Sequence, residues 1–377
     1  MNNMNDIKTI IFVFYVLFIL IAATYTYKKP SYNWDMLGYM AAIVSIDNND
    51  CNYIHSTVYQ NAAKQVPAEP YSLLIDTSHR FKKTVTYYPE TFCKVLPFVF
   101  AKPLYIYTSY LFYCCGIPIV ISTILPNTIS YILICLLLYI WLSKYLQPLL
   151  NLLISVIMAI SGPLIATAKL STPDCMSALF ILAGLYWLIE KRKPSYAFIF
   201  LLLSVLTRID NIIFCISIIA LLRFSKEISV MQFVSYLAIA CCGYISIALL
   251  ANSYGSGLFL SPVIICSQKS ILENVNSHFS INDYILARHS AIMVSLLFHQ
   301  LFIYLLFAVI LFIGQKSKSI KNLGFEQLIS IAIILTIIIR LILNPDLDDR
   351  FHIAYYFTFV ILAVRHISIL VQKQTVN

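Results

Sequence analysis

The sequence predicts an all-α, polytopic integral membrane protein of about ten transmembrane helices, with interfacial helices in one large outer loop. Three observations carry that prediction. Of the 377 residues, 60% are hydrophobic and only 11% charged, at a mean hydropathy of +0.82, which is more apolar surface than a soluble core of this size buries. The apolar residues come in runs, many of them approaching the length that spans a bilayer. Between the runs, Lys and Arg gather at Glu190-Lys191-Arg192-Lys193, at Arg223 with Lys226, and at Lys316, Lys318 and Lys321, which the positive-inside rule assigns to the cytoplasm. The net charge of +9 is thereby read as orientation and not as a nucleic-acid surface.

The first run, Ile7 to Tyr25, is followed by Tyr25-Thr26-Tyr27-Lys28-Lys29-Pro30 and not by the small residues of a cleavage site, so residues 7–26 read as a retained first helix. Residues 28–116 form the large outer loop. Within it Met36, Leu37, Met40, Ala41 and Val44 recur at helical spacing, predicting an amphipathic helix from Asp35 to Ile46 that lies on the membrane surface with Asn33 as N-cap. Most of the ten cysteines sit in apolar runs as small hydrophobes. None has zinc-ligand spacing, and Cys51 with Cys93 is only weakly indicated as a disulfide.

Parity orders the rest. Starting from a cytoplasmic N-terminus, an odd number of crossings must separate the first helix from the basic cluster at Lys191, yet four runs lie between them: Leu104 to Leu125, Ile129 to Leu142, Leu149 to Ala166 and Asp174 to Leu188. Lys102-Pro103 and the ladder Tyr105, Tyr107, Tyr110, Tyr113 mark the first as interfacial, leaving Ile117 to Leu142 as one descent. Leu149 to Ala166 then rises, Thr172-Pro173-Asp174 turns at the outer surface, and the next helix descends. Residues 193–223 start and end in the cytoplasm, so they form a hairpin of two short helices whose tip is Thr207-Arg208-Ile209-Asp210-Asn211, tolerable only where protein or water covers it. Within residues 229–377, Val230 to Ala251 rises, Asn252 to Ser290 is an outer loop and Ala291 to Ile313 descends. Leu328 to Leu343 rises, Asn344-Pro345-Asp346-Leu347-Asp348-Asp349-Arg350 turns outside, and Phe351 to Leu370 descends.

This topology collects Asp35, Asp174, Arg208, Asp210, Asp346, Asp348, Asp349 and Arg350 at one face, with Arg340 a turn or more deep. Ionisable groups at membrane depth are costly, so each is a functional candidate. Each also has a plainer reading. Asp35 could merely balance a helix dipole, Asp174 start a helix after Pro173, Arg208 and Asp210 close the hairpin as an ion pair, Arg350 sit in a solvated turn, and Arg340 snorkel. Against these, Trp34, Met36 and Tyr39 would wall Asp35 from water and tune it as a general base or metal ligand, and the arginines suit an anionic headgroup. His352 stands beside Arg350, whereas His278 and His289 with Arg288 read as loop or helix-end residues. The tyrosines form either a membrane belt or a groove for sugar or lipid.

The order of Trp34-Asp35 after a first helix, Lys102-Pro103-Leu104-Tyr105, Ser171-Thr172-Pro173-Asp174 and Leu206-Thr207-Arg208-Ile209-Asp210-Asn211 resembles the GT-C superfamily of membrane glycosyltransferases. The resemblance covers most of residues 1–222, with 117–223 as the GT-C-like helical core of a single membrane domain, and extends afterwards only to Asp349-Arg350. It implies an inverting transfer of a sugar from a polyprenyl-phosphate donor to a glycan or lipid-linked acceptor, at the outer face of the plasma (inner) membrane, in building a cell-envelope polysaccharide. Asp35 would be the base and Asp174 would orient the acceptor or position Asp35's partner. Arg208, Arg350 and Arg340 would hold the leaving phosphate, and Trp34, Tyr39, Lys102, Tyr105, Asp210, Asp349 and His352 would bind or orient substrate. No cofactor is certain; a divalent cation, Mg or Mn, on Asp35 and Asp174 is the one it brings into question. The rival readings are a surface-polysaccharide polymerase or ligase, with its charges in the Asn252 to Ser290 loop, and a lipid-linked-sugar transporter or flippase, with broken helices in both halves.

Overall fold

A computed structural model describes residues 2–76, 78, 80–253, 281–302, 305, 324–343 and 347–376, and among them the chain is helical with no strands. The first helix, α1 (Asn2–Lys28), packs on α9 (Ile119–Leu142) and α10 (Pro148–Ala159). Between α1 and α9 the outer loop folds as seven helices: α2 (Trp34–Asp47), α3 (Cys51–Gln65), α4 (Ala68–Leu74), α5 (Arg80–Tyr87), α6 (Pro89–Cys93), α7 (Leu96–Phe100) and α8 (Pro103–Cys114). After α10 come α11 (Gly162–Ala168), α12 (Asp174–Ile189), α13 (Pro194–Thr207), α14 (Ile212–Phe224), α15 (Val230–Ser253), α16 (Ile281–Phe298), α17 (Phe325–Leu343) and α18 (Ile353–Val376).

Among the described residues five helical segments are long and apolar enough to cross a membrane, namely 6–28, 119–142, 230–251, 325–343 and 353–371. Counting two bent pairs as single spans, the total is up to seven. The count of ten is not reached, partly because α12, α13 and α14 are apolar but only 16, 14 and 13 residues long, short of the roughly 20 that cover a hydrocarbon core. The rise expected over Leu149 to Ala166 is broken by a 55° bend between α10 and α11. The interfacial segment α6–α7 turns through 112° into α8. Helix α16 begins at Ile281, inside the stretch expected to be loop, while the Lys316, Lys318 and Lys321 cluster and Asp346 lie outside the described residues.

Helix α2 also departs from expectation. Every residue from Met36 to Ser45 is buried, so it is not an amphipathic surface helix but the centre of a small globular unit packed on α3, α7, α8 and α9. The apolar residues at helical spacing are present, but Gly38, Tyr39, Ala42 and Ile43 fill the other face and are buried too. Two apolar clusters result. One joins α2, α3, α6, α7, α8 and the start of α9; the other joins α1, most of α9 and the later helices. Asp35 belongs to an element of the first, whereas Asp174 and Arg208 belong to the second.

Three devices bring these elements together. The chain leaving α1 pairs with the segment before α12, the Ser31 amide donating to the Lys169 carbonyl at 2.8 Å, which sets the approach to Asp35 beside the approach to Asp174. Gly184 allows α13 to close on α12, since a Cβ there would stand 3.2 Å from the Ala197 carbonyl oxygen. Gly184→Val is therefore expected to cost about 1–3 kcal/mol by overpacking, read as a lower melting temperature in detergent. Finally, Cys51 and Cys93 form a disulfide between α3 and α6 across 42 positions. Replacing both with serine should lower stability by about 2–4 kcal/mol, and reductant should abolish the difference between wild type and variant in the same melting experiment.

Candidate functional site

Helical starts converge where the two apolar clusters meet. Asp35 lies in the first turn of α2, and Asp174 in that of α12. A 3-10 turn, Ile209–Asn211, precedes α14 and carries Asp210, and a second, Asp349–Phe351, precedes α18 and carries Arg350. Asp35 and Asp174 thus stand at the positive dipole ends of α2 and α12, where a carboxylate is favoured. Asn33 is the residue before α2, but its side chain does not cap the helix; its Nδ2 donates to Asp35 Oδ2 at 3.1 Å.

The charged groups alternate in sign. Arg208 donates in a bidentate pair to Asp210, Nε to Oδ1 and Nη2 to Oδ2 both at 3.1 Å, and through Nη1 to Asp174 Oδ1. Arg340, from α17, donates to Asp210 Oδ2. Arg350 Nη1 reaches Asp35 Oδ2 at 3.3 Å, while its Nε stands 3.3 Å from Asp348 Oδ2 and 3.8 Å from Asp174 Oδ2. Arg350 is thus the link between Asp35 and the buried network. Burial opposes the charge on Asp210, but Arg208 and Arg340 outweigh it and hold that carboxyl below the usual carboxylate range.

Exposure separates the roles. The Asp35 and Asp348 side chains are 44% and 42% exposed, whereas Asp174 is 1% exposed. Arg350 is the most open of the three arginines at 21%, against 12% for Arg208 and 7% for Arg340. Behind this edge a small cavity lined by Asp174, Ser177, Arg208, Asn211, Arg340 and Phe351 has room for about one water. Asn211 braces it, donating to Ser177 Oγ at 2.7 Å and to the Ser204 carbonyl at 2.9 Å.

Of the residues expected from the sequence, Asp35, Asp174, Arg208, Asp210, Arg340 and Arg350 meet here. Arg340 does not snorkel; it is buried against Asp210. Lys102 lies near the edge, its Nζ 5.3 Å from the Tyr39 ring centroid and donating to the Phe98 carbonyl at 3.3 Å. Trp34, the first residue of α2, is half-buried, and Tyr39 packs edge-on against Tyr105 at 4.9 Å. Tyr105 is fully buried and donates to the Thr123 carbonyl at 2.6 Å, so it serves packing and not a membrane belt or a groove.

Asp349 turns away, accepting from the Gln300 amide at 2.9 Å and the Tyr356 hydroxyl at 2.6 Å, so Asp348 and not Asp349 faces Arg350. His352 is fully buried near Tyr355 and Tyr356, and among the described residues neither ring nitrogen has a hydrogen-bond partner. Burial and then the charges of Arg340 and Arg208 push its pKa well below the ordinary histidine value. Arg288, expected as a helix-end residue, lies within α16 and donates to the Ile342 carbonyl at 2.6 Å, near the end of α17.

The sequence did not single out Phe351, Ser177 or Asn211. A phenylalanine and a serine in a membrane chain carry no signal of their own, and Asn211 was seen only as part of the hairpin tip. As for metal, among the described residues no three His, Cys, Asp or Glu side chains are grouped as ligands. Asp35 and Asp174 do not fit a divalent cation as placed, because the Arg350 guanidinium already stands between them.

A second charged cluster marks the other end of α12. Glu190 accepts from Trp141 Nε1 at 2.8 Å and from the Tyr145 hydroxyl, and pairs with Lys144 at 3.1 Å and Arg365 at 3.7 Å. Helix α12, which carries one cluster at each end, has 16 residues and is about 24 Å long.

No family model, no curated protein and no solved structure matches the chain.

Proposed function

We propose that this is a membrane glycosyltransferase of GT-C type, moving a sugar from a polyprenyl-phosphate donor to a glycan or lipid-linked acceptor. The observation that carries the reading is the position of Arg350, between an open carboxylate, Asp35, and a buried network of two further arginines. An exposed carboxylate is placed to take a proton, and a half-open guanidinium beside it is placed to hold an oxyanion.

In the proposed step Asp35 accepts the proton of an acceptor hydroxyl. The hydroxyl oxygen attacks the anomeric carbon from the face opposite the phosphate, the carbon–oxygen bond to phosphate breaks with its electron pair going to the phosphate, and the configuration inverts. Arg350, the most exposed of the three site arginines, contacts the leaving phosphate. Arg208 and Arg340 stand behind it and contribute their field, and Asp174 positions Arg350 without touching substrate. No step requires a metal ion.

The site is proposed to face outward across the plasma membrane. The Cys51–Cys93 disulfide supports this, since such bonds persist on the oxidising side of a membrane. The basic cluster at Lys191, at the opposite end of α12, supports it from the other side. A polymerase or ligase built on the Asn252 to Ser290 loop is the second reading, and most of that loop lies outside the described residues. A flippase would carry broken helices in both halves; among the described residues the breaks lie at 101–102, 160–161 and 207–212.

The test is surface-glycan analysis of cells lacking the gene, and of the same cells carrying it. Loss of one sugar from the glycan, restored by the wild-type gene, is expected. An unchanged glycan with an unchanged pool of lipid-linked sugar would overturn the reading.

A further inference from the structure

Three guanidinium groups surround one aromatic ring. The Phe351 ring centroid is 4.3 Å from the Arg208 guanidinium carbon, 4.7 Å from that of Arg350 and 5.3 Å from that of Arg340. These arginines come from three separate places in the chain: the α13–α14 break, the 3-10 turn before α18, and α17. Three like charges this close repel one another, and the interleaved carboxylates Asp174, Asp210 and Asp348 neutralise them only at the guanidinium edges. The ring supplies what carboxylates cannot: a rigid surface of negative π potential that attracts each guanidinium without protonation or displacement by an incoming anion.

The ring is itself held. Asp348 accepts from the Arg350 amide at 3.1 Å, the Phe351 amide donates to the Asp348 carbonyl at 3.1 Å, and Asp349 ties the same turn to Gln300 and Tyr356. Phe351 also lines the small cavity with all three arginines. A phenyl group needed only for apolar packing would gain more by facing the apolar core than by lying among three cations.

We propose that Phe351 is a positioning residue, the shared platform that fixes the spacing of Arg208, Arg340 and Arg350 so that their combined field meets a phosphate at the Arg350 edge. The role rests on the phosphate-binding reading given above. When an anion draws Arg350 away from Asp35 and Asp348, the ring contact persists and keeps the guanidinium from following the carboxylates.

The experiment measures binding of a polyprenyl phosphate to the purified full chain in detergent. It compares wild type, Phe351→Leu, Phe351→Trp, and protein carrying mono-, di- and trifluorophenylalanine at position 351. Fluorination keeps the ring's shape while draining its π potential, so affinity should fall stepwise along that series, by about tenfold at the end. Phe351→Leu should weaken binding by about the same factor, and Phe351→Trp should keep it within about twofold. Melting temperatures of the fluorinated proteins should fall by only a few degrees and stay well above the assay temperature, which separates positioning from folding. Wild-type binding with no trend across the fluorinated series would overturn the role of Phe351 and leave the functional reading standing. No binding by wild type would overturn the phosphate reading, and this role with it.

Discussion

Replacing Arg208 with glutamine is expected to destabilise the protein by about 3–5 kcal/mol and to abolish donor binding, because it leaves a buried carboxylate without its partner. Asp174 is 1% exposed and takes its hydrogen bond from Arg208, with Arg350 Nε no nearer than 3.8 Å. Asp210 would lose a bidentate contact and keep only Arg340. Arg208→Lys should fall between, since it restores charge but not the planar fork. The double variant Arg208→Gln with Asp174→Asn should recover much of the stability, as both members of the pair are then neutral, while binding stays lost. Melting in detergent reads the first effect and polyprenyl-phosphate binding the second. Equal stability of the single and double variants would show that the pair is not what holds α12 to the hairpin tip.

Asp35→Asn is expected to lower transfer by about 10² to 10⁴ while stability changes by about 0.5 kcal/mol or less. The asymmetry with Arg208 follows from exposure: the Asp35 side chain is 44% exposed, and Arg350 keeps Asp174 and Asp348 when the charge at 35 is removed. Asp348→Asn is the informative companion. Asp348 and Asp35 lie at the same 3.3 Å from Arg350 and are about equally exposed, so a purely electrostatic role would make the two variants alike. If Asp35 is the base, its variant loses kcat, whereas Asp348→Asn chiefly changes the donor KM. Membrane insertion and expression should be unchanged in both.

The charged residues of the site were legible in the sequence because membrane chains tolerate few of them, so topology alone could collect them at one end of the helices. The pattern stopped short in three places. Apolar spacing in α2 could not tell a surface helix from a buried one, because Gly38, Ala42 and Ile43 suit either environment and only the packing of α3, α7 and α8 decides. Parity carries no information on the continuity of a run: the bend at Ile160-Ser161 precedes Gly162-Pro163, whose apolar composition is that of an unbroken helix. The choice between Asp348 and Asp349 depends on which way a 3-10 turn rotates, a matter of backbone register that composition does not encode. Phe351 was hidden for a related reason, since its importance comes from three residues far away in sequence.

The central claim is that Asp35 acts on a sugar phosphate held at Arg350. It is tested most directly by reconstituting wild type and Asp35→Asn in vesicles with a labelled polyprenyl-phosphate sugar and an acceptor glycan. The account predicts that both proteins bind the labelled lipid, that only wild type moves label to the acceptor, and that the new bond has the inverted configuration. Equal transfer by the two proteins, or a product of retained configuration, would contradict it.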